Sequence, residues 1–124
     1  MRLRDTAFLI AATALISAVP GHAHDTRLRI DVYPNVSQAP ATVRVRAIVE
    51  PHAENRGLTI SADSGDFFRS SFVPMSGIDA AEVTETMFKA LPGGHYDITV
   101  TLVDVQGRQL MERRSVTVTA SAGR

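Results

Sequence analysis

The sequence predicts an all-β fold, a two-sheet antiparallel β-sandwich of about seven strands, and three observations support this. Apolar and polar residues alternate with the period of two that a half-buried strand shows, as between Leu28 and Val32. Clusters of turn-forming residues separate such segments about every dozen residues. No segment shows the 3.6-residue spacing of an amphipathic helix.

The alternation places the strands in order along the chain. In the second strand, Val43, Val45, Ala47 and Val49 alternate with residues of the opposite face. In the last strand the pattern breaks at Glu112 and Arg114, which predicts a bulge or an edge position there. The predicted strands cover residues 28–32, 43–50, 58–62, 67–73, 82–89, 95–104 and 110–119.

Composition limits the function classes. The chain has 124 residues, 13 Lys+Arg against 13 Asp+Glu, and no Cys. This length predicts one domain. The absence of cysteine excludes disulfides, thiolate metal sites and thiol nucleophiles. A formally neutral chain also lacks the basic excess that phosphate binding needs, so no nucleic-acid partner is expected.

The first 23 residues have the three parts of a secretory signal peptide. Arg2 and Arg4 precede an apolar run of about a dozen residues, and the small residues Gly21 and Ala23 follow it. That run is shorter than the roughly 20 apolar residues that a membrane helix needs. We therefore expect a signal peptide at residues 1–23, a sandwich domain at residues 24–124 and a periplasmic or secreted protein without a membrane span after signal removal.

One segment resembles a known fold family. Residues 88–100 read FKALPGGHYDITV, and the Leu-Pro-Gly-x-x-Tyr pattern within them resembles the entry into strand F of fibronectin type III and related immunoglobulin-like domains. Transthyretin-like modules share the segment. The resemblance implies an immunoglobulin-like sandwich in which the hydroxyl of Tyr96 bonds to the backbone just upstream. Pro92, Gly93 and Gly94 would shape the turn, the two glycines by permitting a tight reversal.

A metal site is the sharpest chemical hypothesis. Cleavage after Ala23 would leave His24 with a free amine beside an imidazole, a pair that chelates Cu(II). In size, export signal and histidine start, the chain is similar to small periplasmic copper carriers. The resemblance implies copper as a cofactor and a second histidine, for which His95 and His52 are the candidates.

Two surface features suggest ligands or partners. Arg27, Arg29, Arg44 and Arg46 fall on the outward faces of the first two predicted strands. If these strands pair, the guanidinium groups cluster and match the oxygens of a sulfated or phosphorylated glycan. A solvated sheet face explains the same arginines without a ligand.

The segment from Phe67 to Phe72 is the one aromatic cluster. Alternation sends Phe68 and Phe72 to one side of a strand, and Phe67 and Arg69 to the other. We expect the Phe67 and Arg69 side, on an edge strand, to accept a partner strand or a sugar ring. Phe67, Arg69, Phe72, Arg44 and Arg46 are the predicted binding residues.

No catalytic pattern is present, so the sequence predicts that the protein is not an enzyme and has no cofactor. The residues Asp63, Ser64 and Asp66 have the composition of an ordinary turn. We expect a monomeric, exported, non-catalytic module for binding or structural interaction in the bacterial cell envelope, with an unidentified protein or glycan partner. The alternatives are the copper-binding protein and a subunit of an envelope assembly that joins through an edge strand.

Overall fold

The computed structural model describes residues 27–121. Within that range the chain forms eight strands and one turn of 3-10 helix at Gly77–Asp79. The strands are β1 (Leu28–Tyr33), β2 (Val36–Gln38), β3 (Ala41–Val49), β4 (Asn55–Asp63), β5 (Phe68–Pro74), β6 (Val83–Leu91), β7 (Gly94–Asp104) and β8 (Gln109–Thr119). Residues 27–121 contain no helical segment with the length and hydropathy of a membrane span.

The strands form two sheets packed face to face. One sheet has three strands in the order β1-β3-β6, and the other has five in the order β2-β8-β7-β4-β5. Every second side chain of each strand points inward, and the inner faces of the two sheets together make the core. Val43 and Val45 of β3 and Ile98 and Val100 of β7 are examples, each with no exposed surface. The predicted immunoglobulin-like sandwich is confirmed.

The structure adds one strand to the predicted seven. Residues Val36–Gln38 run parallel to the end of β8, and Thr117 N–H donates a 2.8 Å hydrogen bond to the Asn35 carbonyl. Three residues are too few for an alternation to be recognised in the sequence. From the sequence alone this segment is therefore predicted as a loop, and its pairing with β8 identifies it as a strand.

The broken pattern in β8 marks an edge, not a bulge. Glu112 and Arg114 lie opposite Val100 and Ile98 of β7, in an unbroken register, so both charged side chains are on the inward-facing side of the strand. They form a 3.5 Å ion pair. Because β2 covers β8 only at residues 117–119, the rest of β8 is an edge of the sheet that residues 27–121 form. Inward-pointing charges are a known protection of such edges.

Candidate functional site

The strand β5 is the candidate interaction site. It pairs with β4 on one side, in a register that places Ser70 opposite Ser61 and Phe68 opposite Asp63. Within residues 27–121, no strand pairs with its other side. The aromatic segment that the sequence singled out is therefore on a sheet edge, as expected.

The two faces of β5 are the reverse of the sequence expectation. Phe68 and Phe72 are on the outer face and are 63% and 62% exposed. Phe67 and Val73 are half-buried and pack against the core. Alternation alone cannot tell which face of an edge strand turns inward, because both faces of this segment carry phenylalanine. The outer-face residues Phe68 and Ser70 were not among the predicted binding residues.

Two hydrogen bonds at the ends of the β4–β5 pair show which backbone groups are left at the edge. Ser64 N–H donates to the Phe67 carbonyl at 2.9 Å, and Met75 N–H donates to the Arg56 carbonyl at 2.9 Å. Hydrogen-bonded pairs alternate in an antiparallel ladder. The odd-numbered residues of β5 therefore bond to β4.

The same alternation turns the even-numbered residues away from β4. The N–H and C=O groups of Phe68, Ser70 and Phe72 are directed at the open side. Pro74 ends this row, since proline has no N–H group. Three residues thus present both an exposed outer-face side chain and backbone groups that no strand of the described residues pairs with.

Arg69 has a structural contact. Its Nη1 donates a 2.7 Å hydrogen bond to the Lys89 carbonyl of β6, on the other sheet. Its guanidinium carbon lies 5.1 Å from the centre of the Phe67 ring. The Phe67 ring in turn meets Tyr96 edge to face at 6.4 Å. The side chain that was expected to bind a partner instead holds the two sheets together beside the edge.

The Tyr96 hydroxyl donates a 2.7 Å hydrogen bond to the Pro92 carbonyl, the contact that the immunoglobulin-like resemblance implies. Neither Gly93 nor Gly94 has a positive φ; within residues 88–100 the residue that does is Ala90, at 58°. The glycines allow close approach instead. A Cβ on Gly93 would lie 3.1 Å from Ala120 Cα, and one on Gly94 would lie 3.2 Å from Ser64 Cβ.

The arginines do not form an unbroken cationic patch. Pairing of β1 with β3 brings Arg29, Arg44 and Arg46 to one outer face, but Asp31 lies opposite Arg46. Glu85 of β6 lies opposite Arg46 on the other side and 3.6 Å from Arg44. A shallow cavity of about 190 Å³ is lined by Asp31, Tyr33, Arg44 and Arg46.

Arg27 differs from the other three arginines. It is half-buried at the start of β1, and its Nη2 donates to Asn55 Oδ1 at 3.4 Å. The expected cluster of four guanidinium groups is therefore reduced to three, because the Arg27 side chain bonds to Asn55 at the end of the sandwich. The three that remain alternate with carboxylates.

The candidate metal ligands are far apart. His52 follows β3, and its Nδ1 accepts a 3.1 Å hydrogen bond from Glu54 N–H. His95 is the second residue of β7, at the other end of the sandwich, where its Nδ1 lies 3.3 Å from Thr117 Oγ1. The length of β7 separates the two ends by about 30 Å. His24 lies outside the described residues, and residues 27–121 contain no group of three His, Asp or Glu side chains that could hold a metal ion.

The β7–β8 turn centres on Asp104. Its carboxylate accepts 2.9 Å hydrogen bonds from the N–H groups of Gln106 and Arg108, and Arg108 Nε lies 3.1 Å away. Desolvation by burial raises the pKa of Asp104, but the hydrogen bonds and the Arg108 charge outweigh it. The pKa lies below its ordinary value of 3.8.

Comparison with known proteins identifies the fold and no family. No protein-family model matches the sequence, and no curated protein sequence matches it. Among solved structures, the chain is similar to superoxide reductase (neelaredoxin) from Ignicoccus hospitalis, with 16% identity and a TM-score of 0.59 over 73% of this chain and 79% of that one. A variant of that enzyme matches at 17% identity and a TM-score of 0.58, over 73% and 78%. The soluble domain of PmoD from a Methylocystis species matches at 14% identity and a TM-score of 0.49, over 73% and 90%.

These matches correct one prediction. The sequence predicted that the protein is not an enzyme, and this is contradicted, because the superoxide reductases are enzymes with the same sandwich fold. Function depends on sites that a fold carries, so an all-β sandwich without a familiar catalytic motif does not argue against catalysis. At these identities the likeness concerns the fold alone.

Proposed function

We propose that the protein is an exported interaction module of the bacterial cell envelope that binds an extended segment of a partner protein along β5. The observation that supports this is the coincidence at Phe68, Ser70 and Phe72 of edge-directed backbone groups with outer-face side chains. An added strand would satisfy the backbone groups, and the two rings would contact its side chains. This is recognition by strand addition.

The other sheet edges are better protected against pairing. β2 has three residues, and β8 has inward-facing charges along its open part. The edges β1 and β6 carry outward Arg29, Asp31 and Glu85. Short strands and charges are the usual protections of an edge. On β5 the one charged side chain, Arg69, is hydrogen-bonded across to β6, which leaves this edge open.

A glycan partner has less support. Asp31 and Glu85 interrupt the arginines of the three-stranded sheet, so an anionic sugar would meet carboxylates as well as guanidinium groups. A protein segment is therefore the partner class that we propose.

The test is selection of ten-residue peptides displayed on phage against the wild-type protein. The disrupting variant is Ser70→Pro, which removes an edge-directed N–H without removing a bond to β4, and the matched control is Ser70→Thr, which keeps the N–H. We expect selected peptides to bind the wild type and Ser70→Thr equally, and Ser70→Pro about tenfold more weakly, because one hydrogen bond is lost.

Peptides that bind Ser70→Pro as tightly as the wild type would place recognition away from this edge and overturn the proposal. Failure to select any binding peptide would also count against it. Circular dichroism of both variants checks that each remains folded.

Export is part of the proposal. Its support is the charged, apolar and small-residue pattern of residues 1–23, which lie outside the described residues. Intact-mass measurement of the protein recovered from the periplasm of an exporting host should give a chain that starts at His24. A mass that includes Met1 would contradict it.

Copper binding is the second candidate function, and one observation favours a particular form of it. Glu50 N–H donates a 2.9 Å hydrogen bond to the Arg27 carbonyl, so the described chain begins at the end of the sandwich that carries His52. His24 is three residues earlier, a reach of about 10 Å at most. His52 lies at this nearer end and is therefore a better second ligand than His95.

Native mass spectrometry with one equivalent of Cu(II) tests this form of the copper hypothesis. We expect a retained copper ion that is lost in His24→Ala and His52→Ala and kept in His95→Ala. Copper retained equally by all three variants, or not retained by the wild type, would contradict it.

A further inference from the structure

We infer that the partner which the β5 edge fits best is a second copy of the same chain, paired antiparallel about a two-fold axis through Ser70. The inference rests on the proposed role of β5 as a docking edge and names its occupant. Its starting point is a symmetry in the sequence. Phe68, Arg69, Ser70, Ser71 and Phe72 have a phenylalanine at each end and a serine at the centre.

The backbone register agrees with this symmetry. A two-fold axis at Ser70 places Phe68 opposite Phe72 of the second copy and Ser70 opposite its own equivalent. These residues direct their N–H and C=O groups away from β4, so each becomes half of a hydrogen-bonded pair. Three such pairs, at two bonds each, give about six intermolecular hydrogen bonds.

Neighbouring registers are less favourable. A shift that places Phe68 opposite Pro74 of the second copy brings a proline into the hydrogen-bonded ladder, and proline has no N–H to donate. A shift in the other direction places Phe72 opposite Asp66, a charged residue of the preceding turn. The register centred on Ser70 is the one that uses the open groups of all three even-numbered residues.

The side chains are compatible in this register. On the outer face each Phe68 meets a Phe72, and cross-strand aromatic pairs stabilise sheets. On the inner face Arg69 lies opposite Ser71 of the second copy, so no like charges are directly opposed. The guanidinium is already hydrogen-bonded to the Lys89 carbonyl of its own chain.

The small size of the contact sets its strength. Pairing of the two copies buries the exposed parts of four phenylalanine rings and two strand edges, about 1,000 Å² in total. This is below the roughly 1,200 to 2,000 Å² of a standard stable interface. We therefore expect a dimer that dissociates on dilution, with a Kd on the order of 10 to 100 µM. This replaces the sequence expectation of a monomer.

Disulfide trapping tests the register, because the chain has no cysteine of its own. In the inferred dimer the two Cα atoms at position 70 are about 5.5 Å apart, within the range that a disulfide spans. Under mild oxidation, Ser70→Cys should form a covalent dimer at tens of micromolar protein. The matched control Ser115→Cys, exposed on the same outer face but on β8, should remain monomeric.

A second pair of variants adds an internal control. Phe68→Cys and Phe72→Cys should each stay monomeric alone and should form a mixed dimer when combined, because position 68 faces position 72. Sedimentation of the wild type between 5 and about 200 µM should show the reversible dimer, and Ser70→Pro should remain a monomer throughout.

The outcomes separate self-pairing from the broader proposal. If Ser70→Cys crosslinks no faster than Ser115→Cys and the wild type stays monomeric while selected peptides still bind at β5, self-pairing is wrong and the proposed function stands. If neither a copy nor a peptide binds at β5, both are wrong. A dimer that Ser70→Pro does not weaken would assign self-association to another surface.

Discussion

The ring of Phe72 covers Gly57 on the neighbouring strand β4, so closely that a Cβ at position 57 would lie 2.7 Å from Phe72 Cε2. Gly57 contributes no side chain to the outer face, and the ring occupies the space that one would fill. Aromatic residues cover glycine in this way in other sheets. Phe72 is still 62% exposed, so the contact fixes one face of the ring and leaves the other available.

The Gly57–Phe72 contact predicts a coupling between the two positions. Gly57→Ala displaces the ring and should cost about 0.5 to 1 kcal/mol in the free energy of unfolding. In a Phe72→Ala background the same change meets no ring, and alanine restricts the unfolded chain, so it should stabilise by about 0.5 kcal/mol. Urea denaturation of the four proteins measures the cycle. Equal effects of Gly57→Ala in both backgrounds would show that the ring does not cover the glycine.

The hydrogen-bond alternation of β5 predicts opposite tolerances at adjacent serines. Ser71 N–H bonds to β4, so Ser71→Pro should lower the free energy of unfolding by about 3 kcal/mol or more. Ser70 N–H is directed at the open edge, so Ser70→Pro should cost about 1 kcal/mol or less. Urea unfolding of both variants is the measurement. A larger loss for Ser70→Pro would reverse the assignment of bonded and open residues.

The Tyr96 hydroxyl should contribute measurably to stability. Tyr96→Phe removes the hydrogen bond to the Pro92 carbonyl and keeps the buried ring. We expect a loss of about 1 kcal/mol, the net worth of one such bond. Thermal and urea unfolding measure this, with Tyr33→Phe, an exposed tyrosine, as the control that should change nothing. An unchanged stability of Tyr96→Phe would mean that the corner hydrogen bond is not needed for the fold.

Asp104 should make the β7–β8 turn sensitive to acid. Its pKa in the folded chain lies below the ordinary value of 3.8, so the carboxylate stabilises the fold fully above that unfolded pKa. That contribution is lost as the pH falls through the lower, folded pKa. The difference in unfolding free energy between the wild type and Asp104→Asn should be constant from neutral pH to about pH 5 and should shrink below about pH 4. A difference that grew on acidification would have the wrong sign.

The sequence predicted the long strands well because their alternation extends over many residues. β3, with 9 residues, buries one complete face, and β7, with 11, buries its inner face from Tyr96 to Leu102, a regularity that can be recognised without a partner. The break at Glu112 and Arg114 predicted a bulge or an edge, and the unbroken register shows that it is an edge. β2 could not be found, because it is defined by its pairing to β8 and not by its own three residues.

The candidate site was only half predictable. The sequence located the aromatic segment on an edge strand, but the choice of inward face depends on the opposite sheet, to which Arg69 bonds at Lys89. The open backbone groups at Ser70 follow from the register of β5 against β4, which the amino-acid composition does not indicate. The separation of His52 from His95 is likewise a consequence of topology.

Residue-resolved amide hydrogen exchange across protein concentration tests the central claim, that β5 is an open docking edge, most directly. At low concentration we expect unprotected amides at Phe68, Ser70 and Phe72 and protected amides at Arg69, Ser71 and Val73. Raising the concentration should add protection to the first three alone. Protection of Phe68, Ser70 and Phe72 at every concentration would show that the edge is already covered, and the account would be wrong.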